Sequence, residues 1–428
     1  MTRRRSRTIL TTVAGLTTAG LLAGCSAGGS TGRPDEVDLT VSVWGEVARA
    51  DLYQEVLDGF VETQDDVTAT MEFADRGPYF ERLTTNAASR NLPDVFWLTD
   101  THFGRYAGAG ALLDLTPYLG EQIDVDNIGE DWLPYGEYDG TVYALPSHFN
   151  GQAVLIDQVV FDERGIEYSA ESWDDLADLA REMARTDEGY YGIIDPTVGI
   201  TQRPFEAWVR QHDQELFDEE GQLGFDEDLL VDWWEYWAAL RDEGVAPTPD
   251  VQIESDSQGF TNDLLVARKA AIRLSSATHL NQAGVLRDGG LALLGYPEID
   301  GVAEDWRFYT ALLVTAAANT PAPEVAAALL NTLVNDLESA EISKISMGTP
   351  TPTSVSEGIA PLLSEDDQEI IAYLNEERSN PTRPTPVLPE TSEQFTASLT
   401  RFSQEVAYGR MSPAEAASAL FSDADRYL

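Results

Sequence analysis

Three short segments near the start of the chain decide its fold, and the sequence reads DLTVSVWG (38–45), VTATMEFA (67–74) and PDVFWLTD (93–100). The first two segments alternate apolar and polar residues, and the third is an apolar run entered through Pro93, so all three are predicted strands. Residues 48–64 and 79–89 separate them and carry helical patterns. This β-α-β-α-β alternation predicts an α/β fold with a parallel sheet and helices on both faces.

The rest of the chain continues to mix strands and helices. Strand-like segments lie at residues 140–147, 270–276, 291–297 and 311–318. Amphipathic helices are predicted at residues 172–185 and 228–244, and from Pro323 onward the chain is mainly helical apart from a proline-rich loop at 378–390. Two capping patterns, Ser172 with Asp175 and Ser412 with Glu415, mark helix starts. The length of the chain suggests two domains or lobes.

The amino terminus is typical of an exported protein. Residues 1–24 hold a basic segment and then a mostly apolar run that is shorter than the roughly 20 residues needed to span a bilayer, as in a secretory signal peptide. Leu22 to Cys25 resembles a bacterial lipobox, which implies that Cys25, the only cysteine, carries a diacylglyceryl anchor, since two acyl chains give stable membrane attachment. Residues 25–36 then form a flexible tether. The alternatives are a buried structural cysteine and, for the arginines, a twin-arginine export route.

The composition excludes several classes of function. The formal net charge is -47, with 74 acidic residues against 27 lysines and arginines, so we expect a soluble chain that does not bind nucleic acid. Lys269 and Lys344 are the only lysines, which fits a salt-adapted surface or, alternatively, a coding bias toward arginine. The hydrophobic content of 43%, with nine tryptophans, is sufficient for a globular core.

The sequence contains no credible catalytic or metal-binding set, and we expect neither a cofactor nor a metal. The four histidines are far apart, and no Gly-Lys pair exists for a phosphate-binding loop. Residues 124–135 begin like a calcium loop, but Ile128 and Tyr135 occupy ligand positions. The G-x-S-x-G match at 28–32 follows the predicted cleavage site instead of a strand. A glycosidase needs two placed carboxylates, and 74 acids make any such pair uninformative.

The tryptophans divide into two groups. Trp233, Trp234 and Trp237 share one predicted helix, where packing on a helix face is the favoured interpretation. Trp44, Trp208 and Trp306 sit at element ends or in loops beside polar residues. They are either boundary core residues or platforms for the apolar face of a sugar ring.

An ordered series of motifs carries a resemblance to a known family. It includes VSVWG (41–45), LPDVFWLTD (92–100), GALLDLTPYL (110–119), YDGTVYALP (138–146), FDERGI (161–166), RPFEAWVRQHDQELFDEEG (203–221), EVAAALLNTLV (324–334) and MGTPTPTS (347–354). The chain resembles extracellular solute-binding proteins of the maltose and oligosaccharide type, which supply ABC importers. The resemblance implies a two-lobe periplasmic-binding-protein-like fold with a ligand cleft and a hinge, and a permease as partner. We expect residues 37–146 plus 270–322 in the first lobe and 147–269 plus 323–428 in the second.

Positions that match the family pattern become expected ligand-binding residues because they follow strands or lie in loops at the cleft. They are Trp44, Glu46, Asp100, His148, Asn150, Arg203, Phe205, Trp208, Ser275, Ser276, Trp306, Arg307 and Tyr309, and Arg76 is added as an expected ligand-binding residue through its positive charge. Four arginines, Arg76, Arg203, Arg273 and Arg307, either converge on an anionic ligand such as a uronate or simply pair with acids.

The leading hypothesis is therefore a lipid-anchored, extracytoplasmic binding protein without catalysis that captures a mono- or oligosaccharide. A second hypothesis is capture of another solute, such as an anionic sugar, a polyol, a peptide or a metal chelate. A secreted lipid-anchored glycosidase is a third, which would need turnover and two carboxylates about 5–9.5 Å apart. A purely structural surface lipoprotein would show neither binding nor turnover.

Overall fold

A computed structural model describes residues 37–428, except 130, 169, 200–201, 219, 258, 288, 300, 303–304, 384–385 and 390. The predicted signal peptide, Cys25 and the tether lie outside the described residues. Within this described part of the chain, no helix has both the length and the apolar character that a bilayer crossing requires.

Eleven strands form within the described residues. They are β1 (Val37–Trp44), β2 (Val67–Ala74), β3 (Val95–Thr99), β4 (Glu137–Tyr138), β5 (Thr141–Val142), β6 (Ala144–Asp157), β7 (Tyr191–Ile193), β8 (Ala270–Ser276), β9 (Leu291–Leu294), β10 (Tyr309–Ala316) and β11 (Thr349–Pro350). All except the β4–β5 hairpin belong to one connected sheet system.

Sixteen α-helices accompany them in the same described ranges. They are α1 (Val47–Glu62), α2 (Arg76–Ser89), α3 (Asp100–Gly108), α4 (Val125–Ile128), α5 (Gln158–Arg164), α6 (Trp173–Met183), α7 (Gln202–Gln211), α8 (Glu227–Asp242), α9 (Pro249–Asp256), α10 (His279–Arg287), α11 (Pro323–Asn335), α12 (Leu337–Ser343), α13 (Thr353–Ile359), α14 (Glu365–Glu377), α15 (Ser392–Ala407) and α16 (Pro413–Ala424).

The first three strands confirm the predicted parallel sheet. β1 pairs in parallel with β2 along its whole length and with β3 at Val41 and Ser42. Leu39, Val41 and Val43 alternate along β1 and are fully buried, as a strand with a period of two requires. β10 then pairs antiparallel with β3, so the complete sheet is mixed and not purely parallel.

The long strand β6 belongs to two sheets at once. Its first half, through Gly151, pairs antiparallel with β10, and β11 pairs with the same half. Its second half pairs antiparallel with β8 and β9. A Cβ added at Gly151 would lie 2.9 Å from the Leu374 side chain and 3.4 Å from the Tyr309 ring, so the changeover tolerates only glycine without displacement.

Two hydrophobic cores correspond to the two sheets. The first core surrounds β1, β3, β10 and the first half of β6, and it includes the buried faces of α1 and α11. The second core lies between the second sheet and helices α6, α7, α8, α15 and α16. This arrangement confirms the two-lobe α/β fold expected from the sequence.

Several local predictions are also confirmed. Ser172 and Ser412 cap α6 and α16 through complete capping boxes. Each serine hydroxyl accepts the backbone N–H of the residue three positions later, and the carboxylate of that residue, Asp175 or Glu415, accepts the backbone N–H of the serine. Trp233, Trp234 and Trp237 are 0–1% exposed on α8, so this trio packs in the core.

The lobe boundaries in the structure differ from those expected. β8 and β9, assigned to the first lobe within 270–322, pair instead with the second half of β6. α11 and α12, assigned to the second lobe within 323–428, pack against α1 of the first lobe. The reason is that β6 extends ten residues beyond the predicted segment 140–147, and the strands that pair with this extension belong to the second sheet. The remaining division between the lobes stays a proposal.

The fold makes β6 a sensitive position for stability. Leu155 lies in its second half between β8 and β9 and is fully buried. We expect Leu155→Ala to lower the free energy of unfolding by about 2–5 kcal/mol through lost burial and a residual cavity, measured by chemical denaturation. Leu286→Ala is the matched control, since Leu286 is 51% exposed on α10, and should change stability by less than about 0.5 kcal/mol. Equal effects of the two substitutions would contradict this role.

Candidate ligand-binding site

A cavity of about 950 Å³ lies where the two sheets meet, and twenty residues line it. Trp44 and Thr99 reach it from the ends of β1 and β3. Asn150 and Thr310 reach it from the paired strands β6 and β10, and Thr278 borders it from the turn after β8. Because strands of the first sheet, the strand that both sheets share, and the turn and helix that follow β8 all contribute, this cavity is the candidate site.

Hydrogen bonds between protein residues hold the polar wall of the cavity in place. The side-chain Nδ2 of Asn150 donates to the Thr278 hydroxyl (2.7 Å), and its side-chain Oδ1 accepts the backbone N–H groups of Gly151 (3.0 Å) and Thr278 (3.2 Å). The Ser275 hydroxyl lies 2.8 Å from Nδ1 of His279, which also lines the cavity. Asn150 therefore ties the shared strand to the second sheet at the site itself.

Trp44 forms the apolar wall on the opposite side. It is the last residue of β1, and its ring lies 5.4 Å from Tyr79 in an edge-to-face arrangement and 5.4 Å from Phe80. Its carbonyl oxygen accepts a hydrogen bond from Nη1 of Arg49 (2.9 Å). Only 9% of the Trp44 surface is exposed, so the ring offers an edge to the cavity and not a free stacking face.

An ion pair joins the two lobes beside the cavity. Asp100, at the start of α3, pairs with Arg203 of α7, whose other guanidinium nitrogen donates to Glu206 at 2.7 Å. Burial raises the pKa of Glu206, and the neighbouring charges of Arg203 and Arg210 oppose that effect. The Asp100–Arg203 pair holds α3 beside α7, because separating the two helices would leave the partly buried Asp100 carboxylate without its partner, whereas Glu206 lies on the same helix as Arg203.

The structure brings some of the sequence-predicted residues together. Trp44, Arg76 and Asn150 line the large cavity. Asp100 and Arg203 form the adjacent ion pair, and Tyr309 and Asp100 line a separate small cavity of about 20 Å³.

Other predicted residues lie elsewhere. Phe205 and Trp208 are packed in the second core, where the Trp208 ring contacts Trp173 edge-on at 5.1 Å. The buried Trp306 indole donates to Glu298 (3.1 Å), outside the cavity. The remaining five do not line the cavity: His148 is buried, Glu46 is exposed, Ser275 and Ser276 are partly buried on β8, and Arg307 lines a different cavity.

The four arginines considered together do not converge. Arg203 pairs with Asp100 and Glu206, Arg273 pairs with Asp263, and Arg307 pairs with Glu298 (2.5 Å) and Glu377 (3.0 Å). Pairing with acids is thus the correct interpretation for these three.

Sequence reasoning missed most of the cavity wall. Thr278, Asn281 and Gln282 precede or begin α10, and Lys344 and Ser346 lie in the loop after α12. These are ordinary polar residues in segments without a distinctive pattern. Only the motif MGTPTPTS, which contributes Met347 and Gly348 to the wall, indicated that this loop matters.

The described residues contain no group of three or more histidines, cysteines or acids that could hold a metal ion. Asp124, the first residue of the calcium-like segment, instead caps α4 by accepting the N–H groups of Asp126 (3.1 Å) and Asn127 (3.4 Å). Helix capping therefore accounts for the acidic pattern at this position.

Two sheets that share one strand, with a cavity at the shared strand, define a two-lobe binding protein. The chain belongs to the family of bacterial extracellular solute-binding proteins, which it matches over residues 55–369. The family places the chain outside the cytoplasm.

Three similar proteins extend this comparison. An extracellular solute-binding protein family 1 structure from Alicyclobacillus acidocaldarius has a TM-score of 0.75 at 25% identity and covers 91% of this chain and 98% of that one. The erythritol/L-threitol-binding protein of Mycolicibacterium smegmatis is 26% identical over 157 residues, 33% of each chain. The arabinooligosaccharide-binding protein of Bacillus subtilis is 22% identical over 250 residues, 56% of each chain. The matched regions thus span between one third and about half of these two curated relatives.

Buried histidines near the site predict a loss of stability in acid. Burial is the main cause that lowers the pKa of His148 from 6.5 to about 3, with a smaller contribution from the charge of Arg49. Burial likewise lowers the pKa values of His102 and His279 to about 4. Below pH 6.5 the unfolded chain binds protons that the folded protein does not, so stability falls as the pH decreases from 6.5 toward 3.

The variant His148→Gln tests this prediction. Between pH 7 and pH 5 the parent protein should lose about 2 kcal/mol more of its free energy of unfolding than the variant, as measured by denaturant titration. The comparison is made on the same protein at two pH values, so a constant effect of the substitution cancels. Identical pH dependence of parent and variant would contradict a neutral, buried His148.

Proposed function

We propose that the chain is the substrate-binding component of an ABC importer and captures a saccharide in the cavity between its lobes. The carrying observation is the 950 Å³ cavity, whose walls come from the first sheet, from the strand that both sheets share and from the turn and helix after β8. Its hydroxyl and amide side chains are the groups that bind sugar hydroxyls, and Trp44 and Phe149 supply apolar contact. The arabinooligosaccharide-binding relative supports the saccharide class.

The shared strand and the paired strand β10 also support a hinge mechanism. Ligand that touches both lobes binds the closed arrangement better than an open one, and this difference in affinity drives closure. A permease would then recognise the closed form. Binding without turnover is the expected activity, because the cavity wall holds no carboxylate among its described residues to act as a glycosidase acid or nucleophile.

A polyol is the second candidate, since one relative is an erythritol/L-threitol-binding protein. Cavity size favours the saccharide. Sites for small molecules usually measure about 300–1,000 Å³, and this cavity lies at the upper end of that range. A four-carbon polyol would leave most of the volume to water.

A thermal unfolding screen tests the proposal. The panel comprises mono- and oligosaccharides, tetritols, uronates and short peptides, with chromatography to detect products. A saccharide at 100 times its dissociation constant should stabilise the protein by about 2.7 kcal/mol and remain intact. Stabilisation by tetritols alone would show that the ligand is a polyol and not a saccharide. Product formation would refute the proposal that the protein binds without catalysis.

Two tryptophan variants locate the bound saccharide. Trp44→Leu should weaken binding of the saccharide found in the screen by about tenfold, since an aromatic contact is lost at the cavity wall. Trp306→Leu is the matched control, because Trp306 is also buried but lies outside the cavity. Titration calorimetry measures both. If only Trp306→Leu weakens binding, the saccharide binds near the loop before β10 and not in the cavity.

The lipid anchor on Cys25 belongs to the same proposal. The anchor would hold the binding protein beside the membrane and its permease through residues 25–36. We expect Cys25→Ser to release the protein from the membrane fraction into the medium, with saccharide affinity unchanged, as measured by fractionation and titration calorimetry. Membrane retention of the variant would contradict lipidation at this residue.

A further inference from the structure

The charge of the cavity wall is opposite to the charge of the protein. The chain has 74 acidic residues and 27 lysines and arginines. Yet the described residues that line the 950 Å³ cavity include Arg49, Arg76 and Lys344 and not one Asp or Glu. Lys344 is also one of only two lysines in the whole chain. The cavity wall is therefore positively charged, although the net charge of the molecule is strongly negative.

These three cations also lack ion-pair partners. Several other arginines bind carboxylates, as Arg241 does with Asp195. Among the described residues, no acid lies within ion-pair distance of Arg49, Arg76 or Lys344. Arg76 and Lys344 are exposed and Arg49 is partly buried, and the three share one cavity wall without an acid, where an anionic ligand would be attracted to them.

Arg49 is the most constrained of the three. It is partly buried, its Nη1 donates to the Trp44 carbonyl (2.9 Å), and its buried Nε has no hydrogen-bond partner. Burial lowers the pKa of Arg49, while Tyr53 and the exposed Glu46 act in the opposite direction. The structure thus holds a poorly solvated guanidinium at the cavity wall, and an anion placed there would compensate for the lost solvent.

Lys344 is placed at a backbone position that ordinarily favours glycine. Its φ is 51° and its ψ is -133°, a conformation that residues with a side chain rarely adopt. A glycine would end α12 there without strain. The lysine does complement the carbonyl end of α12, but its exposed side chain also lines the cavity.

Two other cavities among the described residues also contain cations, and they differ from this one in other respects. The cavity that shares Arg76 with this one, about 850 Å³, mixes Arg76 and Arg105 with Glu81 and Glu393. A groove of about 520 Å³ contains Arg90 and Arg105 without acids, but α2, α3 and the segment after β10 form it, all in the first lobe. The groove also contains Thr84 and Asn319, which suit sugar hydroxyls, so the cavity at the shared strand differs from it by drawing on Asn150 of the shared strand and on Thr278 after β8.

We infer that the ligand of this cavity is an anionic saccharide, with a carboxylate or phosphate group held by Arg49, Arg76 and Lys344. This inference rests on the saccharide function proposed above and narrows its substrate class. Arginine offers paired N–H donors to a planar carboxylate, and lysine adds a point charge that also suits a phosphate. Asn150, Thr278 and the neighbouring amides then remain available for hydroxyl groups.

Titration calorimetry with charge-matched ligands tests the inference. Glucuronate, galacturonate and their disaccharides represent carboxylates, and glucose 6-phosphate represents phosphates, each compared with the neutral sugar of the same configuration. The anionic member of at least one pair should bind about tenfold more tightly or better, and its affinity should fall as salt is raised. The pair that responds distinguishes a carboxylate from a phosphate.

Matched variants locate the charge. Lys344→Gln and Arg76→Gln should each reduce affinity for the anionic sugar by about tenfold. Lys269→Gln and Arg90→Gln remove the same charges at exposed positions outside the cavity and should change affinity less than twofold, roughly, in moderate salt. Unfolding temperatures without ligand verify that each variant is folded.

The outcomes are distinct. If neutral and anionic sugars bind equally and Lys344→Gln has no effect, the charge inference is wrong and the saccharide function stands. If Arg90→Gln abolishes anion binding while Lys344→Gln does not, the anion binds the first-lobe groove, and the inference is likewise overturned. If no saccharide of either charge binds, the proposed function and the inference both fail.

Discussion

The antiparallel pairing of β6 with partners on both of its halves is the constraint on which the rest of the molecule depends. Backbone hydrogen bonds of one strand hold β10 and β11 in one sheet and β8 and β9 in the other. Because a buried backbone group must be paired, neither sheet can shift along β6 without breaking its ladder. The cavity forms at the changeover, so the same hydrogen bonds that connect the lobes also define the floor of the site.

Side-chain contacts beside the cavity add to the connection that the backbone of β6 provides. Asp100 and Arg203 join α3 to α7, and His102 and Glu393 approach to 3.5 Å between α3 and α15. The Asp100–Arg203 contact is an ion pair and so responds to salt more than the backbone ladder does, whereas His102, whose pKa is lowered to about 4, contributes no charge at neutral pH.

The sequence alone predicts the local elements well and their partners less well. The alternation in residues 38–45 and 67–74 and the caps at Ser172 and Ser412 are properties of short segments, and the structure confirms them. Which sheet β8 joins depends on how far β6 extends, and no periodicity in residues 144–157 marks the changeover at Gly151.

The same limit applies to the candidate site. Trp44 and Asn150 follow recognisable strands, and both line the cavity. Trp208 and Trp306 have similar polar neighbours in sequence, yet both are buried, because their surroundings come from α8 and from residues far away along the chain. Thr278 and Lys344 become wall residues only after the chain has folded back on itself, so their role is a property of the tertiary structure.

The distribution of the tryptophans has an optical consequence. Trp173, Trp208, Trp233 and Trp237 pack against one another in the second core, with neighbouring ring centroids 5.1–5.7 Å apart. Trp44 is the one tryptophan among the described residues that line the cavity. The intrinsic fluorescence of the protein therefore combines emission from indoles packed in the core with emission from one indole beside the cavity. Trp44→Leu removes the second contribution, so the difference between the spectra of the parent and the variant reports that indole alone.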